Sequence, residues 1–281
     1  HAIIDIGSNT IRMAVYQIEG RTFDLLLKRK HTVGLAGYLD KGRLVREGIE
    51  KTVKILRGFT DFIETFGIAH VHAFTTAALR SATNSRAAVE EITRRTGVPI
   101  RVISGDEEAA YDFIGATQSI AHADGIMADI GGGSTEIIHY IGHEMRGRWS
   151  LPLGSLAMTK AHVAGLLPTP DECAAIRAAV EAVLADAFDV RALRARHMVG
   201  MGGVLSSASR MHRLLYPDET PRLLRTVHLP AMIDLFGSGR KLSERDTAVL
   251  LRSAPDRLHN IVPGMIIASV LAETFDAEDI L

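Results

Sequence analysis

The sequence predicts an α/β protein built from two related domains, on three observations. Strand-length apolar runs alternate with longer amphipathic helical patterns along the whole chain. A strand, glycine turn, strand device occurs twice, as Ile4-Asp5-Ile6-Gly7-Ser8-Asn9-Thr10 and as Ala128-Asp129-Ile130-Gly131-Gly132-Gly133-Ser134-Thr135-Glu136. Asp5 and Asp129 stand 124 residues apart, a domain-sized separation rather than a solenoid period. The length of 281 residues suits about two domains.

Composition narrows the function classes. Hydrophobic residues make up 47% of the chain, enough for large cores. Lys+Arg 32 against Asp+Glu 33 leaves almost no net charge, so a broad nucleic-acid footprint is not expected. No apolar run approaches the roughly 18 residues of a membrane span, and no signal peptide opens the chain. The single cysteine, Cys173, has no internal disulfide partner and reads as a small core residue. Together these predict a soluble cytoplasmic protein that binds neither membrane nor nucleic acid.

Taken in order, residues 2–10 read as a buried strand and polar turn, and 11–16 alternate as a half-buried strand, with a third strand over 23–32. Residues 34–42 are a glycine-containing connection. Ile49, Val53, Ile55, Leu56, Phe59, Phe62 and Ile63 place one apolar face on a helix over 47–66, ended by Gly67. His70 and His72 share one face of a short strand over 70–74 and lack further metal ligands nearby. The loop Thr75–Asn84 then follows a strand end, where α/β proteins place ligand-binding loops. Its lone Arg80 has the forked geometry that grips phosphate, against the plainer reading of a surface arginine at a helix start.

A helix over 84–96 and a strand over 100–103 lead to Ser104-Gly105-Asp106-Glu107-Glu108, acids in the first turn of a helix running to about residue 120. Such acids complement the helix dipole, yet their place after a strand end also suits a site. In the second half, strands are expected at 137–141 and 144–151, and helices at 156–165 and 170–188. Residues 197–207 again read as strand, glycine turn and helix start, a third candidate anion site at Gly202 and Gly203. From Leu229 onward the pattern is helical, and the stretch 261–271 is apolar enough to be buried or to pack against a second chain.

The glycine turns carry the chemistry. Consecutive amides in such a turn can converge on an anion. Asp129 and Glu136 flank the second turn, and carboxylates face phosphate productively when a hard cation such as Mg²⁺ lies between them; the plainer reading is a hairpin with a surface acid at each end. No Gly-x-x-x-x-Gly-Lys-Ser/Thr loop and no Gly-x-Ser-x-Gly elbow occurs, which argues against a P-loop enzyme or a serine nucleophile. Phosphate chemistry by attack of water is the simplest fit.

Four ordered segments, 5–10, 76–84, 103–109 and 129–136, resemble the exopolyphosphatase / guanosine pentaphosphate phosphohydrolase (Ppx/GppA) family, in its short two-domain form. The likeness covers nearly the whole chain. It implies two ribonuclease H-like domains of the actin–sugar kinase–heat-shock-protein superfamily with an interdomain cleft, here drawn as residues 1–118 and 119–281. The C-terminal helix of about 260–281 is expected to pack back on the first domain. It implies Mg²⁺-dependent release of terminal phosphate from polyphosphate or guanosine pentaphosphate. By this likeness Glu108 is the catalytic base and Arg80 holds phosphate. Asp5, Asp129 and Glu136 hold metal or water, and Gly7, Ser8, Asn9, Gly131, Gly132, Gly133, Ser134, Gly202 and Gly203 line the phosphate path.

The chain departs from the family pattern at Ala36, where an acid is usual, at Ala157, where an arginine is usual, and at Val204, where a threonine is usual. These are expected to thin the substrate channel rather than the attacking centre. They motivate a rival reading, a weakly active or non-catalytic sensor of phosphorylated guanine nucleotides. A kinase of the same superfamily is a further alternative, and a homodimer is the oligomer considered.

Overall fold

The computed structural model describes residues 1–20, 22–117, 122–219 and 223–281. These fall into two compact units, His1–Gly105 and Asp106–Leu281. The domain boundary expected at 118/119, and the helix end expected near residue 120, lie outside the described residues. The helix over 105–117 falls, however, in the second unit, whereas the sequence reading gave it to the first.

In the first unit the elements are β1 (Ala2–Ile6), β2 (Thr10–Glu19), β3 (Thr22–Thr32), β4 (Leu39–Asp40), β5 (Arg43–Leu44), α1 (Arg46–Thr65), β6 (Val71–Thr75), α2 (Ala77–Arg80), α3 (Ser85–Thr96) and β7 (Ile100–Val102). Alternation decides what is inside. Ile4, Ile6, Ile11 and Met13 are fully buried and pack with Val53, Leu56, Phe59 and Ile63 of α1, one apolar stripe meeting one sheet face. His70 and His72 form no metal cluster among the described residues; both stack on the ring of His1.

The second unit contains α4 (Gly105–Thr117), β8 (Gly125–Ile130), β9 (Thr135–Ile141), β10 (Glu144–Leu151), α5 (Ser155–His162), α6 (Pro170–Asp186), α7 (Phe188–Arg191), β11 (His197–Met201), α8 (Gly202–Leu215), β12 (Leu224–Arg225), α9 (Leu229–Phe236), α10 (Glu244–Ser253), α11 (Ile261–Phe275) and β13 (Asp279–Ile280). Thr169 and Glu172 close a capping box at the start of α6, with Pro170 at its first position.

The strand orders show that the internal repeat is real. The first sheet runs β3-β2-β1-β6-β7 and the second β10-β9-β8-β11-β13-β12. In each, the first hairpins are antiparallel and the next two strands join in parallel. That is the ribonuclease H-like arrangement, present twice, with β12 added at the second edge. The short β13 was not foreseen, and it supplies the fifth strand of the repeat.

Ile261 to Ala272 are buried in the core of the second unit, with Val180, Leu184, Ala208 and Met211. The apolar character of α11 is therefore satisfied inside its own unit. No helix of the described residues is long and apolar enough to cross a membrane.

Candidate active site

The two glycine turns close the same backbone hydrogen bond at an offset of 124 residues. The Gly7 amide donates to the Thr10 carbonyl at 3.0 Å and the Gly131 amide to the Ser134 carbonyl at 2.9 Å. A Cβ on Gly7 would lie 3.2 Å from the Thr10 carbonyl, and one on Gly131 3.0 Å from that of Ser134, so both turns are tight for the same reason.

What flanks the turns differs. Strand pairing sets Asp5 opposite Arg12 in the first unit and Asp129 opposite Glu136 in the second. Arg12 Nε lies 3.2 Å from Asp5 Oδ2, so this acid meets a cation supplied by the protein. Burial nevertheless raises the Asp5 pKa, opposed by the charge of Arg12. In the second unit the equivalent position is another acid, and negative charge accumulates. Of the two aspartates expected to hold metal, Asp129 thus stands opposite a second carboxylate rather than a guanidinium.

Packing brings a third acid to that place. Alternation along β8 and β9 sends Ile126, Ala128, Ile130 and Ile137 into the core with α6, α8 and α11, and Met127, Ile138 and Tyr140 to the opposite face. There Ala109 and Phe113 of α4 cover them. Asp129 and Glu136 continue this second face, and Glu108, one residue before Ala109, is brought to the same end. Glu107 is exposed and Glu108 half-buried.

Glu136 is 1% exposed and accepts hydrogen bonds from Ser134 Oγ at 2.8 Å and Ser150 Oγ at 2.7 Å. Its pKa is nevertheless pushed up to about 8, first by burial and then by the charge of Glu108, with Asp129 adding to it. The two serines pull the other way and do not prevail. At neutral pH this carboxyl is mostly protonated unless a cation joins the cluster.

The glycine loop is held by α5. The Gly131 carbonyl accepts from the Ser155 amide at 2.9 Å, and the Gly132 carbonyl from the amides of Leu156 and Ala157, both at 3.0 Å. In a trans peptide the next N–H points opposite to the carbonyl, so the amides of Gly132 and Gly133 point away from α5. They are the donors of this loop aimed outward. Gly154 lets α5 come this close, since a Cβ there would lie 2.3 Å from the Gly132 carbonyl oxygen and 2.4 Å from Gly133 backbone atoms. Gly154→Ala is therefore expected to lower stability by about 1–3 kcal/mol or more, read as a fall in Tm, and to displace the loop.

Gly202 adopts φ +82, and a Cβ on it would lie 2.2 Å from Asp129 Oδ1. A Cβ on Gly203 would strike the Arg257 guanidinium, the nearest nitrogen 2.1 Å away. The start of α8 is thus flanked by a carboxylate and a guanidinium rather than being a bare anion nest. Arg257 is a candidate site residue that sequence reasoning missed. Its only signal was a lone arginine in Ala254-Pro255-Asp256-Arg257, far along the chain from every motif.

In the first unit Arg80 ends the four-residue helix α2 instead of riding a loop, and its Nη1 donates to the Ile103 carbonyl at 3.3 Å. Ser8 and Asn9 are buried. Their carbonyls accept from the amides of Ala36, Val33 and Gly34. Both Asn9 side-chain polar atoms are buried with no hydrogen-bond partner among the described residues.

The positions that depart from the family pattern read differently in place. Val204 is fully buried and packs against Gly264 of α11, where a Cβ would lie 2.4 Å from Val204 Cγ1. Ala36 is buried as well. Neither is an open channel position, because a polar side chain at either would be carried into packed core; Ala157 is half-buried on α5.

Exopolyphosphatase 1 of Mycobacterium tuberculosis is 26% identical over 98% of this chain and 82% of its own length. The guanosine-5'-triphosphate,3'-diphosphate pyrophosphatase of Aeromonas hydrophila is 30% identical over 99% of this chain, which spans 55% of that protein. The crystal structure of the Aquifex aeolicus member of the Ppx/GppA protein family aligns with a TM-score of 0.75 at 25% identity, over 99% of this chain and 91% of that one. The profile described as the Ppx/GppA phosphatase family matches residues 14–281, and a match reaching across both units makes the chain a member of that family.

Proposed function

We propose that the protein releases terminal phosphate from inorganic polyphosphate or guanosine pentaphosphate by attack of water on a phosphoanhydride. The observation that carries this reading is the gathering of Glu108, Asp129 and Glu136 at one end of β8, beside a glycine loop whose amides at 132 and 133 point outward. The printed names of the relatives, an exopolyphosphatase and a guanosine-5'-triphosphate,3'-diphosphate pyrophosphatase, support the substrate class.

The residues fit a divalent cation. Asp129 and Glu136 offer oxygen donors, which Mg²⁺ takes from one or two carboxylates and from substrate phosphates, and the Glu136 pKa is raised by burial and by the charges of Glu108 and Asp129, a penalty that a bound cation would relieve. When bound, the ion supplies charge neutralisation for the phosphate oxygens. Asp5 fits this role less well, because Arg12 already meets it.

The chain's own groups do the rest. The outward amides of Gly132 and Gly133 hold phosphate oxygens, and Arg80 is assigned the phosphate-holding role that the family resemblance implies. We assign the base to Glu108, which takes the proton of the attacking water as the new P–O bond forms and the bridging P–O bond of the anhydride breaks, the shortened chain or nucleotide leaving on its phosphate oxygen; Glu107, exposed, is the less suited of the pair. A lone cysteine whose thiol is pushed up to about 11 by burial and by Glu172 and Asp234 has no part in this and suits a cytoplasmic setting. The burial of Ala36 and Val204 removes two of the three observations behind a purely sensory role.

The test is phosphate release in Mg²⁺ from both substrates. Release from one or both is expected. Tight nucleotide binding without release from either would overturn the hydrolase reading in favour of a sensor.

A further inference from the structure

A second constellation lies at the other end of α8. His212, in its last turn, is about 15 Å along the helix from Gly202 at 1.5 Å per residue. The ring is fully buried, and its Nδ1 has no hydrogen-bond partner among the described residues. Its Nε2 lies 2.9 Å from His228 Nδ1. His228 Nε2 lies 3.7 Å from Glu219 Oε1. Tyr216 stacks on His228 with centroids 3.9 Å apart and planes within 9°. One nitrogen of each imidazole and a Glu219 oxygen all lie within 4.8 Å of one another.

A histidine is a costly choice here unless it has a use. Leaving a buried polar nitrogen without a partner costs on the order of 1–3 kcal/mol, which an apolar side chain of similar shape avoids. Two neutral imidazoles at hydrogen-bond distance share one proton between the facing nitrogens. Without it, two lone pairs converge on one point, with a Glu219 oxygen within 4.8 Å of one nitrogen of each ring. Tetrahedral coordination at about 2.0–2.1 Å per nitrogen requires facing nitrogens roughly 3.3 Å apart, an opening of a few tenths of an ångström. Burial and the neighbouring His228 lower the His212 pKa, so the ring is already in its metal-binding neutral form.

We propose that His212, His228 and Glu219 form a binding site for a borderline divalent transition metal such as Zn²⁺. Two imidazoles and one carboxylate match that ion class and not Mg²⁺, which prefers oxygen donors. The ligands come from the end of α8, the turn after it and the short segment before α9, so the metal would clamp these three pieces together.

The experiment is Zn²⁺ titration by calorimetry of the whole protein in excess Mg²⁺, with Co²⁺ substitution followed in the visible spectrum. The wild type is expected to bind one Zn²⁺ with tetrahedral-type Co²⁺ absorption. Glu219→Gln and His228→Ala are each expected to weaken binding by about tenfold or more, and Glu136→Gln to leave it unchanged. Because Glu219 is partly exposed, its variant decides the matter should His228→Ala fail to fold. Equal Zn²⁺ affinity in Glu219→Gln and the wild type, or loss of the ion in Glu136→Gln alone, would overturn the site.

Discussion

Glu108→Gln is expected to lower phosphate release by about 10²- to 10⁴-fold, the range supplied by a positioned general base. The amide keeps the shape and the hydrogen-bonding reach of the side chain but has no proton affinity near neutral pH. The buried apolar contacts of α4 are made by Ala109 and Phe113. The variant should therefore fold and bind nucleotide or polyphosphate as the wild type does, with the loss confined to kcat. Removing the Glu108 charge also removes the second-largest cause of the raised Glu136 pKa, so Glu136 should titrate lower in this variant. Glu107→Gln provides the comparison; at its exposed position the change should be within a few-fold. A Glu108→Gln enzyme at full speed, or an equal loss in Glu107→Gln, would move the base elsewhere.

The repeated domain plan could be read in the sequence because the two turns keep their spacing without insertion, down to the carbonyls at Thr10 and Ser134 that make each glycine necessary. Helix α1 was legible for an equally local reason, its single apolar stripe. What escaped was decided by distant partners. The strand β13 has only two residues, too few for any period to show, and it exists because β11 and β12 bind it on either side. Arg257 reaches Gly203 from beyond α10. Val204 read as a lost channel group because the family pattern has a threonine there, and only its contact with Gly264 on α11 shows it to be core. The divergence of the repeat was in plain view as Arg12 against Glu136, but its meaning needed the strand register that sets each opposite an aspartate.

That divergence makes Glu136 the residue through which pH, cation and stability should be linked. Its ordinary value is 4.5 and its folded value about 8. Between these the native state keeps a proton that the unfolded chain has released, so stability falls as pH rises across the interval. Above the folded value the full penalty is present, on the order of a few kcal/mol. Without divalent cation, Glu136→Gln should therefore be more stable than the wild type at pH 8, by roughly 5–10 °C in Tm, and close to it at pH 5. The raised Asp5 pKa in the first unit contributes in the same direction to both proteins and cancels in the difference. Adding Mg²⁺ at pH 8 should raise the wild-type Tm, because a cation favours the ionised cluster, and should do much less for the variant, which cannot ionise there. The variant should also lose activity despite its gain in stability, the trade expected where function requires like charges to be held together. Parallel melting curves for the two proteins from pH 5 to 8, with equal responses to Mg²⁺, would mean that Glu136 neither carries the buried proton nor holds the cation.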